Sequence, residues 1–342
     1  MSEKKTVVLP VSDGAIAYAA DIIKRGGLVA FPTETVYGLG ASAYYPGAAK
    51  KIYEAKGRPS DNPLIVHVSE PNEAEDFAVV QSEFYRLAER FMPGPLTVVL
   101  KKTEKIDPSV TGGLDTVAVR CPEHPAARAL IKASGCPIAA PSANRSGSPS
   151  PTEAAHVLAD LDGRIDAIID GGPCRVGVES TVISLDGDGG CTILRPGDVT
   201  ADMLAEVMRS VRIAGAVTDP SLSGDRPLSP GMKYKHYSPR AEVIAYEGAL
   251  EEMIDAANCD PAPRVGAIVP DGYADQVKGT ALLSGDGGAD DMCHAFFSLL
   301  RQADELSLDR VYVRVPPKTG KFLALYNRLI RAAGGKITTP EN

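Results

Sequence analysis

The chain has 342 residues, of which 44% are hydrophobic and 23% charged, and its net charge is −8. This profile is typical of a folded protein of about two domains and excludes an intrinsically disordered chain. No apolar run approaches the roughly 20 residues that a membrane-spanning helix needs, and no signal peptide is apparent at the N-terminus. We therefore expect a cytoplasmic protein.

The six cysteines are scattered without a CxxC pair, and the five histidines include no HExxH motif. Zinc sites normally show closely spaced ligand pairs, so we predict reduced thiols and no metal site built by the protein alone. The acidic balance disfavours a nonspecific nucleic-acid surface, because such surfaces carry a basic stripe. Small anionic ligands fit this chain better than a long polyanion.

Residues 1–212 alternate strand-like and helix-like segments, with Ser12, Thr152 and Thr200 as predicted helix N-caps. The predicted strands are residues 7–10, 28–32, 64–68, 96–100, 116–120, 138–140, 167–169, 181–185 and 192–194. The predicted helices are residues 12–25, 48–56, 152–161, further stretches ending at residue 90, and one beginning at residue 200. Because a tight turn at residues 186–190 joins two late strands, we expect a mixed α/β sheet.

Residues 213–240 are rich in Gly, Pro and Ser and end in the motif MKYKHYSP. Two tyrosines, two lysines and a histidine within six residues predict a linker that contacts another part of the protein; a solvated basic linker is the alternative. Residues 241–342 then alternate four strands with four helices, at 243–246, 250–258, 265–269, 273–277, 281–283, 290–306, 310–315 and 321–333. This order predicts a small Rossmann-like α/β domain with a parallel sheet.

Polar side chains cluster where predicted elements end. Lys56, Arg58 and Asn62 surround a proline-rich turn at a helix end, and arginine suits bidentate binding of phosphate or carboxylate. Ordinary helix termination is the alternative, because cations favour helix C-termini. Ser142 and Asn144 follow an apolar strand, in the position where open α/β sheets bind ligands.

His67 and Arg120 lie in strands that are otherwise apolar. A lone strand histidine is more often a core residue, whereas Arg120 lacks a carboxylate neighbour in the sequence and needs an anionic partner, such as a ligand carboxylate. Arg195 also follows an apolar strand. No Ser-His-Asp order, Gly-x-Ser-x-Gly turn or carboxylate pair accompanies these cations. The pattern favours phosphoryl or nucleotidyl transfer by positioning and charge neutralisation.

These motifs together resemble the L-threonylcarbamoyladenylate synthase family, in its long, two-domain, YrdC-like form. The matching segments occur in the family order, at residues 31–40, 56–64, 67, 120–122, 140–144, 179–182, 194–197 and 230–239. The resemblance implies a YrdC-like catalytic domain over residues 1–212, a linker over 213–240 and a small C-terminal domain over 241–342. It also implies a twisted mixed sheet around a large, positively charged, concave cavity.

The resemblance implies an activity in which L-threonine, bicarbonate or CO2, and ATP give L-threonylcarbamoyl-AMP and pyrophosphate, with Mg²⁺ accompanying the ATP. The product would pass to a separate transferase that modifies adenosine 37 of ANN-decoding tRNAs, and direct tRNA contact would not be required. A double-stranded RNA- or tRNA-binding module is the alternative. A carbamoyl-transferring maturation enzyme with this domain is disfavoured, since the cysteine clusters and acylphosphatase segment of such enzymes do not occur in this sequence.

By position, the resemblance assigns L-threonine binding to Thr35, His67, Arg120, Ala140 and Ser180. It assigns ATP binding to Lys56, Arg58, Asn62, Thr116, Ser142, Asn144, Ser150, Arg195 and Tyr237, with Tyr234 as a possible substitute for Tyr237. Lys56 and Arg58 are the predicted catalytic cations, which would neutralise the phosphates, and Arg120 would orient the threonine carboxylate.

Overall fold

The computed structural model describes residues 5–219, Leu222 and residues 237–340. Within these residues, twelve strands share one mixed sheet and four strands form a second, entirely parallel sheet. The predicted fold class, a large mixed α/β sheet followed by a small α/β domain, is confirmed. None of the helices in the described part of the chain is both long and apolar enough to cross a membrane.

The first sheet is built from strands and helices that largely alternate along the chain. Its strands are β1 (Val7–Pro10), β2 (Val29–Phe31), β3 (Gly38–Ser42), β4 (Ile65–His67), β5 (Ala78–Val79), β6 (Leu96–Lys102), β7 (Thr116–Arg120), β8 (Ile138–Ala140), β9 (Ala167–Asp170), β10 (Thr181–Leu185), β11 (Cys191–Arg195) and β12 (Val211–Ile213). Its helices are α1 (Asp13–Lys24), α2 (Ala48–Lys56), α3 (Ser82–Phe91), α4 (Pro125–Ser134), α5 (Ala154–Leu161) and α6 (Ala201–Ala205). The strand order is β1-β9-β2-β3-β8-β4-β7-β6-β10-β11-β12, with β5 paired to β6.

The second sheet has the helices on both faces that the sequence predicts. Its strands are β13 (Glu242–Tyr246), β14 (Val265–Val269), β15 (Thr280–Leu283) and β16 (Arg310–Arg314), and its helices are α7 (Leu250–Cys259), α8 (Ala289–Glu305) and α9 (Phe322–Ala332). The strand order is β13-β16-β14-β15. Helix α7 packs in one hydrophobic cluster with the sheet, and α8 and α9 pack in another.

Two of the three predicted helix caps are confirmed, and one is wrong. The Ser12 hydroxyl accepts from the Ala15 amide at 3.2 Å, and Thr200 caps α6 in the same way. Helix α5 instead begins at Ala154, with residue 153 as its N-cap. The Thr152 carbonyl accepts the amide of Cys174, so a distant loop holds this residue outside the helix.

Strand β3 and helix α4 are absent from the sequence prediction, and the predicted helix at residues 273–277 is a short 3-10 helix over Asp271–Gln276. Glycines normally weaken strands, which is why β3 reads as a loop in the sequence. The structure shows why glycine is needed, since a Cβ on Gly40 would lie 2.7 Å from the Ile138 side chain and 2.8 Å from the Phe31 ring. The close approach of these neighbours excludes a larger residue.

The two domains share one hydrophobic core rather than touching only at their surfaces. Val36, Val176 and Val178 of the first domain belong to the same buried cluster as Phe297 of α8 and Leu325 of α9. Ion pairs also cross this boundary, between Arg301 and Asp160 at 2.8 Å and between Lys321 and Asp198 at 3.0 Å. The second domain therefore packs directly behind the loops of the first.

We expect Phe297→Ala to lower the free energy of unfolding by about 3–5 kcal/mol, because its ring is fully buried in the shared core and truncation leaves a cavity. Urea unfolding followed by circular dichroism measures this loss. Leu306→Ala, next to the end of the same helix and 47% exposed, is the control and should change stability by no more than about 0.5 kcal/mol. Equal effects of the two substitutions would contradict a shared core at Phe297.

Candidate active site

A concave cavity lies over the centre of the first sheet, where β8, β4 and β7 are neighbours. Ile65, His67, Arg120 and Ala140 line it from these three strands. Alternate residues of a strand share a face, which places Ile65 and His67 side by side. The remaining walls come from Thr33, Val36, Gly38, Lys56, Arg58, Pro141, Ser142, Asn144, Ser146, Gly147, Glu179, Arg195 and Tyr237.

The structure brings most of the predicted site residues to this cavity. The residues that line it directly are Lys56, Arg58, His67, Arg120, Ala140, Ser142, Asn144, Arg195 and Tyr237. Thr35, Ser150 and Ser180 lie directly behind the lining and hydrogen-bond to residues in it. Thr116 begins β7, four residues before Arg120, and is not part of the lining. Its ATP contact therefore stays a prediction without a supporting contact.

Arg120 has a protein partner that the sequence does not reveal. Its Nη2 donates to Glu34 Oε1 at 2.6 Å and to Thr35 Oγ1 at 2.9 Å, and both the arginine and Glu34 are buried. The loop after β2 therefore supplies an anionic partner for this strand arginine, 86 residues away in the sequence. A guanidinium carries five donors, so these contacts orient Arg120 without exhausting it.

His67 is a buried, uncharged imidazole beside Arg120. Burial first, and then the charge of Arg120, lower its pKa to about 3. Its Nδ1 lies 3.1 Å from the Ile65 carbonyl oxygen, and the Ile138 backbone also hydrogen-bonds to the ring. The ring also packs edge-on against Phe31, with the centroids 5.8 Å apart. The residue therefore offers shape and hydrogen bonding to a ligand at neutral pH, and no charge.

Lys56 uses its three ammonium donors inside the protein. Its Nζ donates to the Ser142 carbonyl at 2.6 Å, to the Asn144 carbonyl, and to Asn144 Oδ1 at 3.2 Å. Burial first, and then the neighbouring Arg58, lower the pKa of this amine well below its usual range. Helix α2 therefore holds the loop after β8 through this residue, whose backbone carbonyl also accepts from the Ser146 amide at 2.9 Å.

Asn62 lies in the turn that carries Arg58 and is not part of the cavity lining. Its side chain is 1% exposed, and within the described residues neither its amide oxygen nor its amide nitrogen has a hydrogen-bond partner. Leaving a buried polar group unpaired costs about 1–3 kcal/mol. Arg58 donates to the Asn62 and Pro63 carbonyls at 3.4 and 3.2 Å, so the same turn positions the guanidinium in the cavity wall.

Glu179 is the acidic side chain in the cavity lining, and its environment keeps it ionised. Burial would raise its pKa, but Arg328, Arg195 and the Ser150 hydroxyl outweigh burial and lower the pKa to about 2. Arg195 in turn donates through Nη2 to Ser180 Oγ at 3.0 Å. Sequence reasoning overlooked Arg328 because nothing local marks a helix arginine 149 residues away as a partner of Glu179.

Tyr237, at the end of the linker, closes one side of the cavity. Its side chain is 5% exposed and its ring lies 5.1 Å from that of Phe297, while its φ of 64° is unusual for a residue other than glycine. The next residue, Ser238, bonds to the Gly147 and Ala332 carbonyls, one in each domain. The end of the linker thus contacts both domains; Tyr234 lies outside the described residues.

The described residues contain no group of three His, Cys, Asp or Glu side chains placed to hold a metal ion. Glu179 faces the cavity, but its two carboxylate oxygens already accept from Ser150 and Arg328. Proteins commonly bind Mg²⁺ through substrate phosphates, retained waters and only one or two carboxylates. The cavity therefore fits a Mg²⁺ ion held mainly by a bound nucleotide better than one held by a protein cage.

Comparison with known proteins assigns both domains. A family model described as "Telomere recombination" matches residues 21–197, and one described as "Threonylcarbamoyl-AMP synthase, C-terminal domain" matches residues 199–334. Proteins named threonylcarbamoyl-AMP synthase from Bacillus subtilis and Pyrococcus abyssi are 44% and 46% identical, each over 96% of both chains. The crystal structure of P. abyssi Sua5 complexed with L-threonine has a TM-score of 0.90 at 43% identity, covering 98% of this chain and all of that one. The chain therefore belongs to the threonylcarbamoyl-AMP synthase family.

Proposed function

We propose that this protein makes L-threonylcarbamoyl-AMP and pyrophosphate from L-threonine, bicarbonate or CO2, and ATP. The observation that carries this proposal is a single cavity in which an oriented arginine, Arg120, faces the same space as a group of cations and amides, among them Arg58 and Asn144. Family membership supports the activity, and the L-threonine complex of the P. abyssi relative supports threonine as the amino acid.

The strand side of the cavity is our proposed threonine site. Arg120, fixed by Glu34 and Thr35, would bind the carboxylate, and neutral His67 would contact the amino acid beside it. Ala140 lies in the same lining. Ser180 lies behind the lining, where its hydroxyl accepts a hydrogen bond from Arg195. A buried arginine is well suited to this task because its planar fork matches a carboxylate.

The opposite side is our proposed ATP site. Arg58 and Arg195 would neutralise phosphate charge, and the unpaired amide of Asn62 would gain its missing partners from the nucleotide. Ser142 and Asn144 lie on the loop that Lys56 holds in place, and from there they would bind the nucleotide. Because the Lys56 ammonium is already engaged, we propose that it positions this loop rather than contacting phosphate directly.

The proposed reaction has two steps. The threonine amine first attacks CO2 and loses a proton, which forms an N-carboxylate. One oxygen of this carboxylate then attacks the α-phosphorus of ATP, while the bond from that phosphorus to the bridging oxygen breaks and pyrophosphate leaves. No general base is required at the second step, so positioning and charge neutralisation carry the catalysis. Tyr237 would limit the access of water to the mixed anhydride.

Magnesium is proposed to enter with ATP and to lower the charge on its phosphates. The product is proposed to serve a separate transferase that forms threonylcarbamoyladenosine at position 37 of ANN-decoding tRNAs, with no direct contact between this protein and tRNA being required. We also propose a cytoplasmic location, which all six cysteines support as free thiols.

We expect pyrophosphate release from ATP to require L-threonine, bicarbonate and Mg²⁺ together, because the attacking group forms only from the first two. A coupled pyrophosphate assay, with each component omitted in turn, tests this requirement. Release without threonine would overturn the proposal. Absence of release from a folded protein that binds tRNA in a salt-dependent manner would instead favour the nucleic-acid-binding alternative.

We expect Arg58→Ala to lower kcat/KM for ATP at least about 100-fold, because a cation at the transferring phosphates is lost. Steady-state pyrophosphate release measures this ratio, and thermal unfolding checks that the fold is intact. Arg145→Ala is the matched control, since this exposed arginine lies in the neighbouring loop and bonds to Asp160 outside the cavity. A stable Arg58→Ala protein with normal kcat/KM would contradict the proposed ATP site.

We expect the affinity for L-threonine to stay constant between pH 5.5 and 7. Burial lowers the pKa of His67 to about 3, so the ring is neutral throughout this range and protonates only at much lower pH. Isothermal titration calorimetry at several pH values measures the affinity. A loss of affinity as the pH falls through about 6.5, the usual histidine pKa, would contradict this assignment if it disappeared in His67→Gln.

A further inference from the structure

One arginine of helix α9, in the second domain, contacts the first domain. Arg328 is fully buried; its Nε donates to Glu179 Oε2 at 2.8 Å, and its Nη2 lies 3.4 Å from the Glu179 carbonyl oxygen. Its Nη1 donates to Asn327 Oδ1 at 3.1 Å, and Asn327 donates to the carbonyl of Val217, at the start of the linker. The guanidinium is therefore fixed on both sides and does not itself line the cavity.

Glu179 transmits this contact to the nucleotide side of the cavity. Its other carboxylate oxygen, Oε1, accepts from Ser150 Oγ at 2.6 Å. The adjacent Ser180 accepts from Arg195 twice, from Nε at its carbonyl and from Nη2 at its hydroxyl, at 3.1 and 3.0 Å. The short segment 179–180 thus connects Arg328 on one side to Ser150 and Arg195 on the other.

The ionised state of Glu179 depends on the charged groups around it. The charged and titratable groups facing Glu179 are Arg328 from α9, Arg195 from β11 and Tyr237 from the linker. A buried carboxylate that loses a partner retains its desolvation cost, so removing one cation disturbs the whole group. Arg328 also faces the Tyr237 ring, with its guanidinium carbon 5.7 Å from the centroid.

We propose that Arg328 is a positioning residue that the second domain supplies for ATP binding, acting through Glu179 on Ser150 and Arg195, and through the ring of Tyr237. This inference rests on the proposed function and deepens it. It gives the second domain a defined task, which is to hold one wall of the nucleotide site. Arg120, which holds the threonine carboxylate in our proposal, belongs with Glu34 to a separate hydrogen-bond group, and Ser180 is the proposed threonine contact that touches the Arg328 group.

The test measures how Arg328→Met affects the binding of ATP and the binding of L-threonine separately. We expect the KM for ATP to rise at least about tenfold, while the Kd for L-threonine, measured by calorimetry without ATP, changes less than about twofold. Arg328→Lys keeps the charge near Glu179 and should recover part of the loss. Lys321→Met is the control, because it removes another ion pair between the same domains, with Asp198, and has no bond to the segment that carries Ser150. An equal rise in the KM for ATP in this control would overturn the proposal, since loosened domain packing would then explain both.

A second variant keeps the test decisive if Arg328→Met does not fold. Glu179→Gln combined with Arg328→Met removes both charges of this pair together, which buried pairs usually tolerate, and Arg195 keeps its bonds to Ser180. We expect this double variant to fold and to show the same rise in the KM for ATP, because Arg328 acts through Glu179. A wild-type KM would overturn the inference. Failure of the proposed function is distinguishable, because the wild-type protein would then release no threonine-dependent pyrophosphate.

Discussion

The concentration of positive charge in one buried cavity is the constraint on which the rest of this structure depends. The cations that line it are Lys56, Arg58, Arg120 and Arg195. Buried like charges repel and lose their hydration, so each needs a compensating partner within the fold. Glu34 offsets Arg120, and Glu179 lies beside Arg195 and Arg328. The loops that carry these two carboxylates therefore have to close over the sheet before the cavity can exist.

Neutral oxygens provide the remaining compensation, and they also shape the site. Carbonyl and amide oxygens of the loop after β8 surround the Lys56 ammonium, and carbonyls of the turn after α2 receive Arg58. Lys56 thereby fixes the backbone of the loop after β8, and Arg58 fixes the backbone of its own turn. Asn62 is the exception, because its buried amide has no partner in the described part of the chain.

The second domain belongs to the same arrangement, since its Arg328 shares the Glu179 carboxylate with Arg195. Helices α8 and α9 bury valines of the first domain in a shared core, and Arg328 reaches Glu179 from that core. Tyr237 lies between the two domains, against Phe297 and close to the cavity. The four-stranded parallel sheet thus contributes to the site through the helices on one of its faces.

The sequence by itself determined the features that are local in the chain: the caps at Ser12 and Thr200, the mixed and parallel sheets, and the motif residues that line the cavity. Tertiary structure decided the partners, because Glu34 and Glu179 lie 86 and 149 residues from Arg120 and Arg328. It also decided that Lys56 holds a loop, since an ammonium binds whichever oxygens the fold brings near. Local patterns record propensity and residue chemistry, whereas the neutralisation of a buried charge depends on contacts that only the folded chain creates.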